Sequence, residues 1–101
     1  MKQNRAERIL AKLKQMGLSQ MLIVDPMSIY YLTGVQIMPF ERFYGLYLRE
    51  DGHHVYFLNR LFHVPEELGI EKAWYSDTDP VMEIVASRMD RERPLGVDTE
   101  L

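Results

Sequence analysis

Apolar residues return every three or four positions at the start of the chain, where Ala6, Ile9, Leu10, Leu13 and Met16 form one stripe and Arg5, Arg8, Lys12 and Lys14 lie mostly off it. That spacing predicts an amphipathic helix, with Gly17 as its C-terminal cap. The period then changes. Met21 to Val24 is a short apolar run bounded by polar residues and by Asp25-Pro26, and it reads as a buried strand. Asp25-Pro26 in turn predicts a helix start, because the carboxylate can accept from free backbone N–H groups while proline fills the first turn, where its missing donor loses nothing. This helix would run from Met27 through Leu32 and stop at Gly34.

From Tyr44 the pattern is that of strands: Tyr44 to Arg49, then Glu50-Asp51-Gly52, then His53 to Leu58. An Asp-Gly pair between two β-prone runs predicts a hairpin with a type I′ turn, in which both central residues take positive φ. Val64 to Gly69 reads as a single helical turn closed by glycine, and Lys72 to Tyr75 as another strand. Asp79-Pro80 repeats the capping signature and opens a further helix with Val81, Met82, Val85 and Met89 on one face. Pro94 stops it, and Leu95 to Asp98 forms the last strand.

Five strands and their helices thus follow in the order α-β-α-ββ-β-α-β, without an internal repeat. The expected fold is α/β, a mixed five-stranded sheet with an antiparallel hairpin and flanking helices. A chain of 101 residues accommodates one such domain, and 47% apolar against 27% charged residues suits a globular one. At Asp98-Thr99-Glu100-Leu101 a strand gives way to a new helix start, so residues 1–101 read as a fragment cut before its last helix.

Charge and composition narrow the function. The net charge of −3 hides five Lys/Arg within residues 1–15 against Glu7 alone. No aromatic residue interleaves with these basic positions, so they read as a solvated helix face rather than a nucleic-acid surface. No stretch approaches the roughly 20 apolar residues of a membrane span, and the N-terminus lacks the apolar run of a signal peptide. The expected location is the cytoplasm, which the absence of cysteine also fits.

Candidate chemistry is sparse. His53 and His54 are adjacent, so on a strand they point to opposite faces and cannot chelate one ion together. His63 stands near Glu66 and Glu67, but no HExxH spacing exists. Asp79 and Asp90 are separated by ten residues, but a helix between them would hold the two carboxylates about 16 Å apart, too far to share a metal pair. Ser19, Ser28, Ser76 and Ser87 lie in no nucleophile-elbow context, and there is no glycine-rich phosphate loop. Met16, Met21, Met82 and Met89 fall on core-facing periods and read as packing. No catalytic and no metal-binding residue is expected in this chain. The segment Gly34 to Phe43 is different: it places large apolar side chains beside Arg42 in a connector. Such a loop serves either as a site or interface, with guanidinium as a planar fork of donors, or as a buried staple.

Asp25-Pro26-Met27-Ser28-Ile29-Tyr30-Tyr31-Leu32-Thr33-Gly34, followed by Glu41-Arg42 and the hairpin about Asp51-Gly52, resembles the N-terminal domain of creatinases, Xaa-Pro dipeptidases (prolidases) and aminopeptidase P. Ile29 to Gly34 is the most specific piece. The basic first helix, the helix after Pro80 and the run Leu95 to Asp98 stand in matching order, so the resemblance covers essentially the whole chain.

The resemblance implies a three-layer domain with a ribonuclease H-like motif, non-catalytic in itself. It implies a following pita-bread catalytic domain that holds two divalent ions, manganese or cobalt, through two Asp, two Glu and one His, the ions generating the hydroxide that attacks the peptide carbonyl. It further implies a homodimer, a proline-containing peptide as substrate and a place for this domain at the pocket entrance. In creatinase-like members the loop after the Thr-Gly position supplies an aromatic residue and an arginine to the substrate, and the matching positions are Phe40 and Arg42. Ser28 departs from the Asn or Asp frequent in relatives. Two other readings stay open: the same domain of a creatinase or other amidinohydrolase, and a stand-alone α/β module that binds a protein or ligand at its Phe40–Arg42 loop.

Overall fold

The computed structural model describes residues 1–98. Its two hairpin strands are buried on both faces, β2 (Gly45–Arg49) at all but its last residue and β3 (Val55–Asn59) throughout. Strands of this kind need cover on each side, and helices supply it. On one face, α1 (Gln3–Gln15) and α2 (Pro26–Thr33) bring Ala6, Ile29 and Leu32 against Leu46, Leu48, Tyr56 and Leu58. On the other, α3 (Val81–Ser87) brings Val85 against Tyr47, Val55 and Phe57. Successive residues of β2 and β3 therefore serve opposite cores, as the two-residue period of a strand requires. The result is the expected three-layer mixed sheet.

With β1 (Gln20–Ile23), β4 (Glu71–Tyr75) and β5 (Gly96–Val97), the strand order is β4-β3-β2-β1-β5. β2 is antiparallel to β1 and β3, while β4 runs parallel to β3 and β5 parallel to β1. The carboxyl ends of β1, β3, β4 and β5 consequently share one rim with the start of β2.

α2 begins and ends as its sequence dictates. The Asp25 carboxylate accepts from the Ser28 N–H at 3.0 Å and from its hydroxyl at 2.8 Å, Pro26 occupies the first turn, and Gly34 closes the helix at φ 78°. The Ser28 hydroxyl is thereby committed to the cap.

Other expectations are corrected. The hairpin turn is not type I′: the Gly52 N–H donates to the Arg49 carbonyl at 3.0 Å, so Glu50 and Asp51 are the central residues, and of Asp51 and Gly52 only Gly52, at φ 88°, has positive φ. Val64 to Gly69 is not helical, although Val64 and Leu68 pack on the first core. Asp79 does not cap α3, because its carboxylate accepts the Ser76 N–H at 2.7 Å and stabilises the preceding turn instead, leaving Pro80 in the cap position. Met16 and Met82, at 71% and 57% exposed, lie outside the cores, whereas Met89 packs on the second. The helix start expected after Asp98 lies at residues 99–101, outside the described residues.

One buried amide joins the start of the sheet to its end. Gln20, 1% exposed, donates from Nε2 to the carbonyls of Asp90 at 2.7 Å and Arg93 at 2.9 Å. Its Oε1 accepts the Tyr47 hydroxyl and, at 3.1 Å, the Asp90 N–H. At the opposite end of β1, the Asp98 carboxylate accepts the N–H groups of Val24 at 2.6 Å and Asp25 at 3.3 Å.

Candidate functional site

The connector between α2 and β2 reaches the rim where β3 and β4 end. Part of it is anchored: Val35 is buried, Ile37 packs on the first core, and the Phe43 carbonyl accepts the Tyr75 hydroxyl of β4. The tip is not. The Arg42 N–H donates to the Pro39 carbonyl at 3.0 Å, closing a turn about Phe40 and Glu41. Phe40 sits there at φ 56°, the one non-glycine with positive φ among the described residues, and is 82% exposed. A bulky side chain in that conformation is disfavoured, and exposure of its ring gains nothing from burial. Met38 is likewise exposed. Phe40 and Met38 are thus not buried staples.

Arg42, two residues on, is fixed. Its Nε donates to Asp77 Oδ1 and its Nη2 to Asp77 Oδ2, each at 3.0 Å. Asn59, at the end of β3 and 1% exposed, donates from Nδ2 to Asp77 Oδ1 at 2.8 Å and accepts the Leu61 N–H at 3.0 Å. The hydrogen bonds from Arg42 and Asn59 hold the Asp77 carboxyl below its ordinary range, and Asp77 raises Arg42 in return. The pair stays ionised through neutral pH. Beside it opens a cleft of about 400 Å³ lined by Arg42, Phe43, Tyr75, Asp77, Asp79 and Val81. Carboxyl ends of strands are where open α/β sheets bind ligands, and a guanidinium with an aromatic neighbour suits a carboxylate or a peptide.

The histidines do not join this rim. His53 is exposed at the hairpin, and His54 is half-buried, with Nδ1 accepting the Arg49 N–H at 3.1 Å. Among the described residues no group of three or more His, Asp or Glu could hold a metal ion. The basic face of α1 is partly engaged within the fold: the Arg5 guanidinium lies 4.4 Å from the Tyr31 ring centroid and donates to the Tyr31 carbonyl at 2.7 Å. No helix among the described residues is long and apolar enough to cross a membrane.

His54 gives the hairpin a pH dependence. Burial is the main cause that holds its imidazole below the ordinary 6.5, so folding favours the neutral ring that accepts from Arg49. Its contribution is complete above the unfolded value and is lost as pH falls through the lower folded value. Melting temperatures taken at about pH 7.5 and about pH 5 should fall less for His54→Asn, whose amide oxygen preserves an acceptor. Equal falls in both proteins would refute this.

Asp77, Asn59 and Tyr75 were invisible to sequence reasoning as site residues. Asp77 lies 35 positions from Arg42, between the run Lys72 to Tyr75 and the Asp79-Pro80 capping signature. The signal available was topological: the parallel β3–β4 pairing brings the residues after Tyr75 beside Asn59.

The model of the creatinase/prolidase N-terminal domain matches residues 5–101. A proline dipeptidase structure from Streptococcus pneumoniae superposes with TM-score 0.79 at 22% identity, covering 95% of this chain and 76% of that one. The creatinase/prolidase N-terminal domain of an X-Pro dipeptidase from Streptococcus pyogenes gives 0.73 at 23%, covering 90% and 70%. A prolidase from Thermococcus sibiricus gives 0.79 at 22%, covering all of this chain but 29% of that one. At these identities the likeness is one of fold. No curated protein sequence matches significantly. The matched span takes in nearly every element described above, and the chain belongs to the creatinase/prolidase N-terminal domain family.

Proposed function

We propose that this chain is the non-catalytic N-terminal domain of a cytoplasmic, metal-dependent Xaa-Pro dipeptidase. In this reading it shapes the substrate pocket entrance and the dimer contact, while a C-terminal domain carries two manganese or cobalt ions and cleaves the peptide. The observation that carries the reading is the rim itself: an exposed Phe40 held at positive φ, two residues from an arginine fixed by Asp77 at the carboxyl ends of the strands. The apolar ring offers a surface for a proline ring or a facing subunit, and the guanidinium offers donors for a carboxylate.

Kinetics of the full-length enzyme test it. Phe40→Ala and Arg42→Ala are each expected to raise KM for an alanyl-proline dipeptide about tenfold, the loss of one desolvated contact, with the domain's melting temperature nearly unchanged. Wild-type kinetics in both variants would remove the two residues from the pocket. Saturable micromolar binding of manganese to the isolated chain would contradict the division of labour.

A further inference from the structure

A guanidinium has two forks that fit a carboxylate, the side-on Nε–Nη2 edge and the end-on Nη1–Nη2 edge. In this chain Asp77 takes the side-on edge of Arg42 with two bonds of equal length, 3.0 Å each. Among the described residues Nη1 makes no hydrogen bond, so the end-on edge stays available, and the two side chains are 39% and 55% exposed. An exposed ion pair contributes little to stability, since ordering two mobile side chains offsets most of the attraction. What distinguishes this pair is its anchor. Asn59 is buried at the end of β3, is fixed by the Leu61 N–H, and donates to the same Asp77 oxygen that receives Arg42 Nε. Order therefore passes outward from the sheet through the carboxylate to the guanidinium.

Resting on the reading that Arg42 meets the substrate, we propose that Asp77, held by Asn59, is a positioning residue that presents the end-on edge of Arg42 to the carboxylate of the peptide substrate. Asp77 touches no substrate itself. It removes the rotamers in which Arg42 would swing into solvent, and it offsets the arginine's charge, so that recognition depends on a two-point fit more than on long-range attraction.

A double-mutant cycle in the full-length enzyme separates this from a structural role. Asp77→Ala is expected to raise KM for alanyl-proline about fivefold and leave kcat within about twofold, because an unfixed arginine binds less well while the chemistry is untouched. In an Arg42→Ala background, Asp77→Ala should change KM by less than about 1.5-fold, since its effect acts through Arg42. Asp77→Asn, of nearly the same size, serves if the alanine variant fails to fold, and it should raise KM in the same direction. A full effect of Asp77→Ala without Arg42 would show a structural role and overturn the proposal. Wild-type KM in both Asp77 variants, with KM raised in Arg42→Ala, would overturn it while leaving Arg42 at the substrate. Wild-type KM in Arg42→Ala would overturn the Arg42 reading and this proposal together.

Discussion

Gln20→Leu is expected to destabilise the domain by about 3 kcal/mol, although the side chains are close in volume, because it strips partners from groups that water reaches poorly. The buried amide serves the Asp90 and Arg93 carbonyls, the Asp90 N–H and the Tyr47 hydroxyl at once. Each orphaned buried donor or acceptor loses about 1–3 kcal/mol, and because Asp90 is only half-buried and Arg93 is exposed, the four groups together lose about 3 kcal/mol, well below four full penalties. Urea unfolding followed by circular dichroism measures the loss. Adding Tyr47→Phe to Gln20→Leu should recover about 1 kcal/mol, since the second change removes the hydroxyl that the first had left unpaired. A loss below about 1 kcal/mol for Gln20→Leu would mean that the amide network is dispensable.

Phe57→Ala is expected to lose about 3–5 kcal/mol by the usual measure for an aromatic ring removed from a core. Phe57 is fully buried on the α3 side of the sheet, and its ring stands edge-on to that of Phe43 with centroids 6.1 Å apart. Phe43 also lines the cleft beside Arg42. The milder Phe57→Leu should keep the fold at a loss of about 1–2 kcal/mol and allow the Phe43 ring to shift. Chemical denaturation quantifies both variants, and wild-type stability in Phe57→Leu would show that ring shape is immaterial at this position.

The contrast between what the residues announced and what they concealed follows from the range of the interactions. Asp25-Pro26 and Gly34 specify α2 because each of their contacts lies within a few residues. The hairpin strands were legible as two β-prone runs about the Asp51-Gly52 pair, and the family resemblance rested on local strings of the same kind. The turn type was not legible, since Asp51-Gly52 is compatible with a type I′ turn and with a left-handed glycine after two ordinary turn residues, and pairing across the whole hairpin decides. Asp79 could have capped α3 or bonded back to Ser76, a competition that its side chain settles locally but that sequence does not rank. Val64 to Gly69 carries helix-compatible residues that instead lie over the core as an irregular segment. At the site, the segment Gly34 to Phe43 stood out because large apolar side chains beside Arg42 are costly in a connector, and the resemblance singled out Phe40 and Arg42 within it. Asn59 and Asp77 did not, because their meaning depends on β3 and β4 being parallel neighbours.

The position of β1 governs how this domain emerges from the ribosome. β1 lies between β2 and the late strand β5, and Gln20 and Val24 are fastened to residues 70 to 74 positions further on. Until that distal stretch has been synthesised and released, one edge of β1 has no strand beside it and the Gln20 amide lacks most of its partners. Such long-range closure slows folding and exposes an open edge to neighbours meanwhile. A nascent chain halted before Asp90 is therefore expected to remain protease-sensitive and prone to aggregate, becoming resistant only when β5 can dock.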